Sequence, residues 1–118
     1  MSFSEKNGSG GSLRISRDVI ATISDAAAKE VAGVWALASP SMDLRGIVNR
    51  GKTDISLIDG IAEIRMRLVL ESGARIRDVA ENVQRSVKDA VQNMTGITVS
   101  KVNVVVSGIH YGGAAAED

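Results

Sequence analysis

The fold is decided by residues 55–70, Ile55-Ser-Leu-Ile-Asp-Gly-Ile-Ala-Glu-Ile-Arg-Met-Arg-Leu-Val-Leu70. Asp59 and Gly60 separate two runs of alternating apolar and polar residues. Asp-Gly is a preferred pair for a two-residue type I′ turn, because both positions need positive φ. This turn fixes the register, so that the apolar side chains nearest to it share one face: Ile55, Leu57, Ala62 and Ile64. We predict a hairpin with one buried sheet face and one polar face.

A long helix is predicted after the hairpin, over residues 76–94. Its apolar residues recur every three or four positions: Ile76, Val79, Ala80, Val83, Val87, Ala90, Val91 and Met94. Charged residues of alternating sign lie four apart on the opposite side: Arg77, Glu81, Arg85 and Asp89. Thr95 and Gly96 predict the end of this helix. The valine-rich residues 98–109 predict a final strand.

An earlier helix is predicted from Ser16, which lies in the N-cap position, with Asp18 in the first turn where negative charge suits the helix dipole. The apolar residues of this helix have helical spacing: Val19, Ile20, Ile23, Ala27 and Val31. Gly33 predicts its end. The short apolar stretch 13–15 predicts a strand before it.

These elements predict an α+β fold, a two-layer sandwich in the order β-α-β-β-α-β. Two helices would cover one face of a four-stranded, mainly antiparallel sheet, and a ferredoxin-like topology is suspected. The single domain would span residues 13–109. Residues 1–12 and 110–118 are predicted to be flexible tails, and residues 39–53 a mobile loop, because so long a connection without a period is usually functional or disordered.

The composition excludes several classes of protein. The 14 basic and 14 acidic residues cancel, which argues against binding to nucleic acid by bulk charge. The chain has no cysteine, so disulfides and thiolate metal sites are excluded, and a cytoplasmic location is favoured. No stretch approaches the roughly 20 apolar residues of a spanning helix, and no signal peptide is predicted. Direct insertion into a membrane is therefore not expected.

No catalytic, metal or cofactor site can be nominated from the residues. His110 is the sole histidine, and its place in the tail is typical of a solvated side chain. The loop from Arg45 to Lys52 faintly resembles a phosphate loop, but no strong strand precedes it, so a basic contact loop or a plain connector is favoured. The candidate interaction residues are Trp35, Arg45, Arg50, Lys52, Arg65 and Arg67.

Two alternatives stay open for these candidates. Trp35 either closes the end of the core or, if exposed, anchors an interface, since tryptophan is enriched in binding hot spots. Arg65 and Arg67 on the polar sheet face could bind RNA, but the predicted strands lack the aromatic residues of such platforms, so a solvated or partner-covering face is favoured. An uncovered edge strand such as residues 98–107 could pair with another copy of the chain.

The sequence resembles the alkaline shock protein twenty-three family, also called the Gls family of general stress proteins. The most specific matches are Val-Gln-x-x-Val-Lys at 83–88, Met-Thr-Gly at 94–96 and Val-Asn-Val at 102–104. Residues 13–20, Leu-Arg-Ile-Ser-Arg-Asp-Val-Ile, and 30–34, Glu-Val-Ala-Gly-Val, are similar to the opening helix of that family and its end. The resemblance covers roughly residues 12–109.

The resemblance implies a non-enzymatic protein of Gram-positive bacteria, linked to cell-envelope homeostasis and to stress. Some members are held beneath the cytoplasmic membrane by a small transmembrane partner, and others affect fatty-acid synthesis through acetyl-CoA carboxylase. We therefore expect a homo-oligomer that acts as a scaffold or interaction module at the inner face of the membrane. A regulator that binds a biosynthetic enzyme is the alternative, and an RNA-binding module is a lesser one.

Overall fold

The computed structural model describes residues 14–38 and 53–111. Within them lie two helices and four strands, in the order α1 (Arg17–Lys29), β1 (Val34–Leu37), β2 (Thr53–Ile58), β3 (Ile61–Glu71), α2 (Ile76–Thr95) and β4 (Thr98–His110). The predicted α+β class is confirmed.

The long strand β3 is the centre of the sheet. β4 runs parallel to it along its whole length, from Ile61 to Glu71. β2 and β1 are antiparallel to β3 and follow one another along its other edge, since β2 pairs with residues 61–66 and β1 with residues 68–70. Two of the three strand pairings are thus antiparallel. β4 is parallel because α2 crosses over and returns the chain to the end where β3 began.

The hairpin has the register that its turn predicts, with Leu57 opposite Ala62 and Ile55 opposite Ile64. Asp59 and Gly60 both have positive φ, as a type I′ turn requires. The turn chemistry therefore determined the pairing of β2 with β3.

The fourth strand comes from a different place than residues 13–15. Arg14 and Ile15 lie outside any strand, and Leu13 lies outside the described residues. Val34–Leu37 forms β1 instead, and it pairs with residues 68–70 of β3, beyond residues 61–66 with which β2 pairs. Most of the predicted mobile loop lies outside the described residues, and β2 already begins at its last position, Thr53.

Both helices cover the same face of the sheet. Alternate residues of β3 are fully buried there: Ala62, Ile64, Met66, Leu68 and Leu70. They form one core with apolar side chains from both helices, chiefly Ile20 and Ala28 of α1 and Val83, Val87 and Val91 of α2. The opposite face of the sheet carries no helix within the described residues.

A close contact with α2 explains the glycine at position 33, in the turn between α1 and β1. Gly33 has φ +97, and a Cβ atom placed there would lie 2.6 Å from Cγ2 of Val79 on α2. The chain therefore turns into β1 directly against the second helix, and glycine is needed both for the backbone conformation and for the space.

Candidate interaction surface

The face of the sheet away from the helices is here called the open face. It is formed by the residues of β2, β3 and β4 that alternate with the buried ones: Asp54, Ser56, Glu63, Arg65, Arg67, Val69, Lys101, Asn103 and Val105. The pairing places Asp54 beside Arg65, and Arg67 beside Val105. The two predicted arginines are therefore neighbours in the middle of one exposed surface.

Charges of both signs alternate across this middle part of the open face. Glu63 lies beside Lys101, with 3.8 Å between the carboxylate oxygen and Nζ. Both side chains are about half exposed, so this pair contributes little to stability. The surface offers both positive and negative groups to a partner rather than a field of one sign.

An aromatic stack closes one end of the open face. The register of β1 with β3 shifts between Val34 and Ala36, so Trp35 is an extra residue in a bulge. Since Val34 and Leu37 are buried, the indole of Trp35 projects to the opposite side, where it is 51% exposed. Its ring stacks on the imidazole of His110, with centroids 3.9 Å apart and planes inclined by 10°.

The structure brings together half of the sequence-predicted residues. Trp35, Arg65 and Arg67 share the open face, and Trp35 is exposed rather than closing the core. Arg45, Arg50 and Lys52 lie outside the described residues. Sequence reasoning missed His110, because the valine pattern weakens after residue 106 and the glycines that follow it suggested a tail, whereas β4 extends through His110.

The resemblance to a phosphate loop is not supported by the structure that follows it. Residues 46–53, Gly-Ile-Val-Asn-Arg-Gly-Lys-Thr, do have the Gly-x4-Gly-Lys-Thr spacing of a phosphate loop. In such a loop the threonine opens a helix. Thr53 instead begins β2, and its hydroxyl donates a hydrogen bond to Asp25 of α1. The spacing alone therefore does not indicate nucleotide binding.

A depression lies between the outer sides of the two helices, away from the open face. It is lined mainly by apolar or small side chains, including Ile23, Ala26, Ala90 and Met94. Met94 is largely exposed.

No His, Asp or Glu residues within 14–38 and 53–111 form a group of three or more that could hold a metal ion. In the same part of the chain, neither helix is long and apolar enough to cross a membrane.

A family model for the alkaline shock protein twenty-three family, described as having a cell envelope-related function, matches residues 5–111. The chain belongs to this family. The Bacillus subtilis protein YqhY is 31% identical over 112 residues, covering 91% of this chain and 83% of its own length. The Streptococcus pyogenes protein Spy1614 is 30% identical over 112 residues, covering 84% of this chain and 88% of its own. The family expected from the sequence motifs is thus confirmed, with relatives in two Gram-positive bacteria.

Solved structures of a protein called MamM CTD share the fold of this family member. One variant superposes with a TM-score of 0.52 at 12% identity, covering 79% of this chain and 98% of the other. Another, described as a manganese form, has a TM-score of 0.51 at 12% identity and covers 79% and 99% of the two chains. At this identity the likeness is one of fold alone.

Proposed function

We propose that this protein is a non-enzymatic interaction module of the cell-envelope stress response, which self-associates and binds a protein partner at the inner face of the cytoplasmic membrane. The observation that carries the proposal is the half-exposed stack of Trp35 on His110 at the end of the open face. A large aromatic ring held in one orientation loses little entropy on binding, which is why tryptophan is frequent in hot spots.

The chemistry of the open face supports protein binding over RNA binding. Arg65 lies beside Asp54 and two residues from Glu63, so a phosphate backbone that approached this arginine would meet acidic groups as well as basic ones. The stacked pair of Trp35 and His110 lies at the end of the face rather than beside the arginines. A partner with charges of both signs and an apolar group for Trp35 fits this surface better.

The proposal is tested by affinity capture from native cells, with membrane and soluble fractions analysed separately. The baits are the unchanged protein, the double variant Arg65→Glu/Arg67→Glu, and the control Arg77→Glu/Arg85→Glu, whose arginines are exposed on α2. We expect the unchanged and control baits to recover a small transmembrane protein from the membrane fraction. The open-face variant should lose it.

Other outcomes lead to other conclusions. Recovery of a soluble biosynthetic enzyme through the open face would replace the membrane role by the regulatory one. The same set of captured proteins with all three baits would contradict the use of this face. A chain that stays monomeric in solution at every concentration would contradict self-association.

A further inference from the structure

The backbone of β4 shows which of its groups face away from the sheet. The carbonyl of His110 accepts a hydrogen bond from the N–H of Ser72 at 3.0 Å, so His110 directs its backbone groups towards β3. Successive residues of a strand direct their backbone N–H and C=O groups to alternate sides of the strand. The β4 residues whose backbone groups face the outer edge of the sheet are therefore those paired with the even-numbered residues of β3: Val99, Val102, Val104, Val106 and Ile109.

The helix α2 covers only the first part of this outer edge. The side-chain oxygen of Gln92 accepts a hydrogen bond from the N–H of Val99 at 3.0 Å. The side-chain amide of Gln84 donates to the carbonyl of Val102 at 3.1 Å. Within residues 14–38 and 53–111, no comparable side chain bonds to the outward groups of Val104 or Val106. The edge is thus divided into a half covered by glutamines and an open half.

The open half lacks the usual protection of an edge strand. Natural edges are made unattractive by charged residues, proline or short length. Residues 103–109, Asn-Val-Val-Val-Ser-Gly-Ile, contain neither proline nor a charged side chain. Lys101, just before them, is turned towards Glu63 of its own sheet. Val105 is 44% exposed, and Val104 and Val106 are only partly buried on the helix side.

We propose that this open half of β4 pairs with the same strand of a second copy, antiparallel, about a two-fold axis at Val105. Val104 would then exchange two backbone hydrogen bonds with Val106 of the second copy, and Val106 with its Val104. Val105 would face its own equivalent in the close, non-hydrogen-bonded position, with Cα atoms about 4.5 Å apart. The inference rests on the proposed self-association and names its surface.

The charge pattern of β4 favours the antiparallel arrangement. Lys101 is the sole Lys, Arg, Asp or Glu residue in the strand. A parallel, in-register pair would hold two lysines about 5 Å apart, which is destabilising. In the antiparallel pair each lysine lies four residues from the axis, so the two are about 27 Å apart along the strand. The register of β3 with β4 shifts between Leu68 and Val69, which leaves Ser107 as an extra residue in a bulge. Its hydroxyl donates to the carbonyl of Leu68 on β3, on the side away from the proposed second copy.

Such pairing has a consequence for partner binding. A two-fold axis perpendicular to the sheet keeps both open faces on the same side. The two copies would then present one continuous surface with a Trp35–His110 stack on each half. A partner with two matching segments would bind this surface with avidity.

Disulfide trapping tests the pairing, since the chain has no natural cysteine. Three single-cysteine variants are compared under mild oxidation: Val105→Cys at the axis, Asn103→Cys two residues away, and Val19→Cys on α1, where the valine is 45% exposed. We expect Val105→Cys to form a covalent dimer and the other two to remain largely monomeric. Equal trapping of Asn103→Cys would overturn the antiparallel axis, and equal trapping of Val19→Cys would indicate random collision.

Sedimentation of lysine variants separates this inference from the general proposal. Val105→Lys sets two like charges opposite each other, so we expect self-association to weaken by at least about tenfold. Val19→Lys, at an equally exposed valine, should leave it unchanged. Unchanged association of Val105→Lys would overturn the β4 edge while self-association stands. A monomeric unchanged protein would overturn both.

Discussion

The indole of Trp35 and the imidazole of His110 stack with their centroids 3.9 Å apart, although the residues belong to strands on opposite sides of β3. The bulge in β1 turns Trp35 out of the core, and the length of β4 carries His110 to the same end of the sheet. The two side chains therefore meet over β3, on the open face. The stack joins the two edges of the sheet on the face that we propose for partner binding.

Removing the imidazole should expose the tryptophan without unfolding the protein. We expect His110→Ala to shift the emission of the sole tryptophan to longer wavelength and to increase its quenching by acrylamide. The loss of unfolding free energy should be about 0.5–1.5 kcal/mol, which is typical of an aromatic pair. Fluorescence and urea denaturation measure the two effects. Tyr111→Ala, at a neighbouring exposed aromatic residue, is the control and should change neither.

Gly33 should tolerate substitution less than another glycine of similar backbone conformation. Gly33 and Gly73 have φ of +97 and +89, but only Gly33 has a side chain within reach, Cγ2 of Val79. Gly73→Ala should lose about 1–2 kcal/mol from backbone strain alone. Gly33→Ala should lose about 1–3 kcal/mol more, because the core is overpacked. Thermal or urea unfolding of both variants gives the difference, and equal losses would contradict the close contact.

The two helices differ in their N-terminal caps. Removing the cap of α1 should therefore lower stability, and adding one to α2 should raise it. Oγ of Ser16 accepts a hydrogen bond from the N–H of Val19 at 3.2 Å, whereas Arg75 at the start of α2 makes no such bond. Ser16→Ala should therefore cost about 1 kcal/mol of unfolding free energy.

Arg75→Ser should add up to about 1 kcal/mol, since it supplies the missing acceptor. The substitution removes only an exposed contact with Asp78 at 3.9 Å, which contributes little. Denaturant melts of the two single variants check both signs. A loss of stability in Arg75→Ser would show that the arginine has a role beyond this contact.

Gln92 should matter more than its neighbour on the same helix. Its side chain accepts the hydrogen bond of the Val99 N–H, and Val99 is buried. Gln92→Ala leaves this donor without its partner, so we expect a loss of about 1–3 kcal/mol. Amide exchange at Val99 should become faster in the same variant. Asn93→Ala, at an exposed position of α2, is the control and should leave both the stability and the exchange rate at Val99 nearly unchanged.

The elements that the sequence predicts well are those specified by neighbouring residues. The Asp59-Gly60 turn set the register of the hairpin, and the 3.6-residue periods located both helices to within a few residues. The origin of the fourth strand was predicted wrongly. Residues 13–15 and 34–37 are both short apolar runs, and the tertiary pairing with residues 68–70 of β3 distinguishes the second of them.

The candidate site likewise has some features that the local sequence determines and others that depend on the tertiary structure. Alternation along β3 by itself determined that Arg65 and Arg67 share the polar face, because the side-chain period of a strand is a local property. Only the tertiary structure decided that Trp35 meets His110 and that Gln84 and Gln92 cover half of the β4 edge. These contacts depend on a bulge, on the crossover through α2 and on the length of β4, which bring together residues that no local pattern relates.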